Sequence, residues 1–108
     1  MRSIDYSATA ALERALKITS DENGKLAAAL GDWRDRASDA FVTAYREGVA
    51  DAGLWPSRRD DAERVLNFFL LEKAFYEIEY ELAHRPDWMR VPVTGALRIL
   101  SNKTSEAA

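Results

Sequence analysis

No cysteine occurs in the chain. Its absence removes disulfides, thiolate chemistry and cysteine-based zinc sites, and it suits a reducing compartment. Nor does any stretch approach the ~20 apolar residues that a membrane span requires. The opening Met1-Arg-Ser-Ile-Asp-Tyr-Ser7 lacks the apolar core of a signal peptide. A cytoplasmic location with no membrane partner is therefore expected. An excess of basic charge is missing too: 15 Lys and Arg stand against 18 Asp and Glu, a net charge of -3. A nucleic-acid scaffold would show a basic patch or stripe, so nucleic acid is not an expected partner.

The chemical motifs are equally sparse. There is no GxGxxG, no P-loop, no GxSxG, no HExxH and no His-x-Asp catalytic loop. The one histidine, His84, falls at an expected helix C-terminus, where a partial positive charge is favourable and a capping role fits better than catalysis. No catalytic or metal-binding residues are assigned, and no cofactor is expected in these residues.

What is present is helical periodicity. At 108 residues, with 47% hydrophobic and 31% charged side chains, the chain has the make-up of one soluble domain or a piece of one. Ile4, Leu12, Ala15, Leu16 and Ile18 recur at helical spacing from about Arg2 to Thr19, and Ser20-Asp-Glu-Asn-Gly24 closes that helix with turn formers. A second helix is expected from Lys25 to Ala52. Leu26, Ala29, Leu30, Trp33, Ala37, Ala40, Phe41, Ala44 and Tyr45 form its core-facing stripe, and Gly31 and Gly48 are candidates for a kink or a close crossing. Gly53 suits the residue just past its end.

Ser57 then reads as an N-cap with Asp60 three residues on, opening a third helix that runs to about His84, where Pro86 forbids continuation. Pro92 to Leu100 reads as a short final helix, leaving 102–108 as a flexible tail. No strand alternation is visible. The expected fold is all-α, with three long helices and a short C-terminal one in a single subdomain, residues 1–101.

The third helix is apolar around nearly its whole circumference, as a helix central to a core would be. At about 100° per residue two stripes separate. Phe68, Leu71, Phe75, Ile78 and Leu82 form an apolar one. Leu66, Phe69, Lys73, Tyr76, Tyr80 and Ala83 form another, tipped with polar groups that can converge on one cavity. Aromatic faces stack on sugar rings, while phenol and ammonium tips bond to hydroxyls. The same spacing also fits tyrosines at a core rim beside a snorkelling lysine. Glu72, Glu77, Glu79 and Glu81 point in several directions, and a pair such as Lys73–Glu77 reads as support for a solvated face.

The run Glu72-Lys-Ala-Phe-Tyr-Glu-Ile-Glu-Tyr-Glu-Leu82, with Arg85-Pro-Asp-Trp88 and Val91-Pro-Val-Thr-Gly95, resembles the C-terminal end of bacterial maltokinases, which are often fused behind a trehalose synthase (maltose α-D-glucosyltransferase) domain. Met1 to Ser7 is similar to the helix that follows the metal-binding loop of that family. The resemblance implies the helical subdomain of a kinase-like C-lobe, of the aminoglycoside-phosphotransferase type. It also implies a parent activity, transfer of the γ-phosphoryl of ATP to maltose for α-glucan synthesis. ATP and Mg²⁺ would be bound by the parent's missing lobe. By the same resemblance Lys73, Tyr76 and Tyr80 are maltose-binding, Arg98 matches a contributing arginine of the final helix, and Tyr45 aligns loosely with another wall residue. Relatives usually carry asparagines where this chain has Ala83-His84. Two readings follow: an inactive, maltose-binding piece of a maltokinase, expected to self-associate through uncovered apolar surface, or an independent helical protein-interaction module.

Overall fold

The computed structural model describes the backbone of residues 1–107 and the side chains of residues 1–102. The described residues are helical, with no strand among them: α1 (Arg2–Leu16), α2 (Lys25–Val49), a 3₁₀ turn Ala50–Ala52, α3 (Arg59–His84), a 3₁₀ turn Pro86–Trp88 and α4 (Arg90–Ala107). The all-α expectation holds. The backbone groups into two compact units, Met1–Trp55 and Pro56–Ala108, where the sequence reading took 1–101 as one. Each is taken on its own.

In the first unit α1 and α2 form a hairpin. α1 stops at Leu16, two turns of weaker bonding carry the chain through Lys17 to Thr19, and Ile18 stands almost fully exposed. The turn is tied to α2 by Asp21. Its carboxylate accepts from the amides of Leu26 and Ala27, both at 2.9 Å, so the second and third residues of α2 gain partners they could not find within the helix. Gly24 stands before them at φ 66°, a left-handed conformation that favours glycine. Gly53, at φ 65°, ends the following 3₁₀ turn as expected.

Of the stripe expected on α2, the positions Ala29, Ala40 and Ala44 are exposed. Leu26, Leu30 and Ala37 are half-buried, together with Arg34, Ser38 and Val42, whereas Trp33, Phe41 and Tyr45 are exposed. Ala8 is the only hydrophobic residue fully buried among the described residues of this unit. A hairpin with so little buried is marginal by itself. Neither glycine of α2 serves a close crossing among the described residues. A Cβ at Gly48 would meet nothing within 4 Å, and one at Gly31 only Arg34 Nη2 at 3.8 Å.

In the second unit α4 returns along α3. Arg58, not Ser57, is the N-cap of α3 and makes no side-chain capping bond; Asp60 and Asp61 occupy the first turn, where the helix dipole favours them. Arg85, at φ -140° and ψ 73°, ends the helix immediately before Pro86. α4 starts earlier than expected, at Arg90, and is longer. Pro92 is thus its third residue, still within the first turn where no intrahelical donor is lost. The tail expected at 102–108 is instead a continuation of α4 as far as Ala107, and only residue 108 lies outside the described backbone.

α3 is not wrapped by a core. Its covered face is Leu70, Ala74, Glu77 and Glu81, set against Val91, Pro92, Gly95 and Ala96 of α4. Small side chains on both helices suit a close approach, and both stripes anticipated on α3 lie outside it. Phe68, Phe75 and Leu82 on one flank and Phe69, Tyr76 and Tyr80 on the other are exposed. Among the described residues no helix is long and apolar enough to cross a membrane.

Two substitutions in the first unit should move stability in opposite directions. Gly31→Ala should stabilise by about 0.5–1 kcal/mol, because the methyl meets only ordinary contact and the unfolded chain loses freedom. Asp21→Ala should destabilise by about 1 kcal/mol through the two orphaned amides. Urea unfolding followed by circular dichroism measures both; a destabilising Gly31→Ala would show that the glycine is needed for a close approach after all.

Candidate functional site

The polar-tipped stripe of α3 is a ladder. Lys73 Nζ sits 4.4 Å from the ring centroid of Tyr76. The Tyr76 and Tyr80 rings are stacked at 6.5 Å and 22°, and Tyr80 stacks on the His84 ring at 4.3 Å and 17°. His84 Nδ1 lies 2.9 Å from the Tyr80 carbonyl oxygen, which anchors the last rung to the end of the helix. Spacings of three and four residues produce this, since each side chain leans over the turn before it. All four side chains are exposed. The histidine belongs to the ladder in addition to its helix-end position. The cue for it was the i, i+4 spacing to Tyr80, which the sequence reading left unused.

One detail changes the chemistry. The rings turn their faces to one another, and Lys73 covers the remaining face of Tyr76, so flat faces are not what the ladder offers a ligand. Its outward groups are two phenols, an ammonium and an imidazole. Such tips donate to and accept from hydroxyls, at a spacing of roughly one helical turn, 5.4 Å.

Beneath the ladder lies a feature that the sequence reading assigned to solvent. Glu77 and Glu81 are buried, at 8% and 2% exposure, between α3 and α4. Lys73 does not support Glu77 on a solvated face; its ammonium is on Tyr76. Glu81 is held by Arg85 in a two-point contact, Nε to Oε2 at 3.1 Å and Nη2 to Oε1 at 2.8 Å. The Arg85 guanidinium in turn lies 5.0 Å from the ring centroid of Trp88. Carboxylate, guanidinium and indole together form a clamp across the Arg85–Met89 corner, and that corner sends α4 back antiparallel to α3.

Helical geometry then sorts the flanks. In an antiparallel pair, flanks of the same rotational sense about each buried face lie on the same side of the two-helix layer. Counting about 100° per residue from the buried face of each helix places Arg98, half-buried on α4, on the side of Lys73, Tyr76 and Tyr80. Val93 and Leu100 fall on the opposite side, with Phe68, Phe75 and Leu82, while Leu97 points about 170° from the buried face, away from α3. Four of the five residues expected at a sugar site therefore share one side of this unit. The fifth, Tyr45, belongs to the first unit, where it stacks on Phe41 at 6.4 Å and tilts against Trp55 at 5.9 Å. At that end of α2 Tyr45 is still 53% exposed. Arg58, Arg59 and Arg64 are exposed, with Arg59 paired to Glu63 at 3.3 Å, a solvated surface as the mixed charges suggested. No group of three or more His, Asp or Glu side chains able to hold a metal occurs among the described residues.

No protein-family model matches the chain, and no solved structure matches it.

The clamp can be tested directly. Arg85→Ala leaves the buried Glu81 carboxylate without its two-point donor and should destabilise by roughly 2–3 kcal/mol. Arg85→Lys should recover only part of that, because an ammonium cannot make the forked contact. Denaturant midpoints for the two variants decide it, and equal stability of Arg85→Ala and wild type would reduce the clamp to a surface pair.

Proposed function

We propose that the chain is the carbohydrate-binding helical part of a maltokinase-like phosphotransferase. It would supply one wall of a maltose site and none of the phosphoryl-transfer chemistry. The observation that carries this reading is the ladder of Lys73, Tyr76 and Tyr80 with Arg98 on the same side, a row of hydroxyl-matching tips on a rigid helix. The resemblance from Glu72 to Gly95 gives those tips their ligand. ATP, Mg²⁺ and the catalytic aspartate would belong to a nucleotide-binding lobe, with a trehalose synthase domain as a further fusion partner. The parent would act in the cytoplasm, converting ATP and maltose to maltose 1-phosphate for α-glucan synthesis.

The large side chains left bare on α3 support the same reading. A helix apolar on all sides is normally surrounded, and here α4 covers one face only. The remainder of a kinase C-lobe would cover the rest, or another copy of the chain in its absence. That bareness also favours a second reading, a helical protein-interaction module. The two separate on ligand chemistry and on genomic context. An upstream in-frame segment carrying a His-x-Asp loop belongs to the first reading; tight binding of a ligand other than an α-glucoside by the chain alone would overturn it.

With only one wall present, the chain itself should bind maltose weakly or not at all in calorimetric titration. Joined to a maltokinase nucleotide lobe, Lys73→Ala, Tyr76→Ala and Tyr80→Ala should each raise the maltose KM several-fold, up to about tenfold, the cost of one lost hydrogen bond to the sugar. An unchanged KM in all three would return these residues to a structural role.

A further inference from the structure

We infer that the side of α3 and α4 opposite the ladder is a self-complementary interface, on which a second copy of this chain completes an antiparallel four-helix bundle. This inference does not rest on the carbohydrate reading. Its starting point is the width of the bare surface. Phe68, Phe75 and Leu82 of α3 stand 60%, 54% and 56% exposed, and Leu100 of α4 stands 44% exposed on the same side of the layer, beside half-buried Val93. A single helix seated there would leave one of the two rows open. A two-helix layer of equal width covers both, and the α3–α4 hairpin of another copy is such a layer.

The area is sufficient. Taking about 150–250 Å² for a large apolar side chain, the exposed parts of those four residues amount to roughly 400 Å² per copy. Half-buried neighbours in the same rows raise this to about 600 Å², so a twofold pair would remove on the order of 1,200 Å² from water, at the lower end of the range of stable interfaces. Symmetry is also satisfied, because a twofold axis parallel to the helices sets α3 of one copy against α4 of the other with every neighbour antiparallel.

Charge permits the pairing as well. On α3 the charged side chains on or beside this face are Arg64, one turn before Phe68, and Glu72 and Glu79, all exposed. The two glutamates point roughly 160–180° from the α4-covered face, at the outer rim of the bundle, and Arg64 at the Phe68 end of the stripe is long enough to keep its guanidinium in water. Spacing separates the two roles of α3: Phe68, Phe75 and Leu82 recur every seven residues on the bundle side, while Lys73, Tyr76 and Tyr80 stay outside the pair.

Analytical ultracentrifugation of the full chain across a concentration series tests this. Wild type should sediment as a reversible dimer, twice the 12.2 kDa chain mass. Phe75→Glu and Leu100→Glu, both at exposed positions, should retain helical circular dichroism and raise the dimer dissociation constant by at least about tenfold. Phe41→Glu, which removes an exposed aromatic of the first unit, should leave the dimer intact, as should Tyr76→Ala on the ladder side. A monomeric wild type overturns the inference, and so does a dimer that Phe41→Glu dissolves while Phe75→Glu does not.

Discussion

The second unit depends on one buried carboxylate. Glu81, 2% exposed, faces α4 near the end of α3, a position that a leucine would fill with no desolvation cost. What Glu81 provides is a fixed point. Arg85 grips it at two atoms from the next turn, beyond which Pro86 allows no more helix, and Trp88 flanks the guanidinium as the chain turns back. The direction in which α4 leaves that corner decides which of its side chains accompany each flank of α3. The placement of Arg98 on the side of the ladder, and of Val93 and Leu100 on the side of Phe75, is a consequence of this corner. A buried ion pair is weak support for stability on general grounds, and its better attested use is to fix register. Here the register fixed is that of two helices with very different sides.

The residues chosen for the α3–α4 contact reinforce that point. Ala74, Gly95 and Ala96 let the helices lie close, and the remaining positions are Leu70, Glu77 and Glu81 of α3 with Val91 and Pro92 of α4. All the large aromatics of α3 are left out of the seam. In a self-sufficient hairpin Phe68, Phe69 and Phe75 would be the core, since each can bury upwards of about 150 Å². Their exclusion leaves most of the apolar side-chain area of this helix uncovered by α4. The first unit shows the same economy, with Ala8 fully buried while Trp33, Phe41 and Leu54 stay exposed.

Much of the architecture was legible in the residues, for reasons that are local. Gly24 and Gly53 adopt the positive φ that their turns require, Pro86 stops α3, and no alternating pattern competes with the helical one. The existence of two stripes on α3 was likewise legible, because 100° per residue is a property of one helix alone. Which face would be covered was not. Periodicity ranks faces by apolar content, and on α3 the covered face is the one with Glu77 and Glu81, the poorest by that measure. The N-cap shifted from Ser57 to Arg58 for a similar reason, since a capping pattern states what could bond and the chain made no such bond there. Arg98 could be placed only after the corner fixed the turn of α4, and Tyr45 has an aromatic neighbour, Trp55, that sequence separation conceals.

The ladder bears on how a sugar could be held at all. Stacking of Tyr76 on Tyr80 and of Tyr80 on His84, with Lys73 over the first ring, is worth roughly 0.5–1.5 kcal/mol per contact, and less where water reaches the rings. For a tyrosine to lay its face on a pyranose it must leave that stack, so face-on binding begins with a loss. Binding through the tips carries no such loss, because phenol and ammonium groups already point outward from side chains that their neighbours hold in place. Order within the ladder also reduces the rotamer freedom that a ligand would otherwise have to remove, about 0.5–1.5 kcal/mol for each flexible side chain immobilised. A pre-ordered row of donors and acceptors one helical turn apart favours a ligand with hydroxyls repeated along its length over one recognised by a single flat ring. Recognition of that kind uses the helix as a ruler, and the ruler is only as straight as the corner that anchors its end.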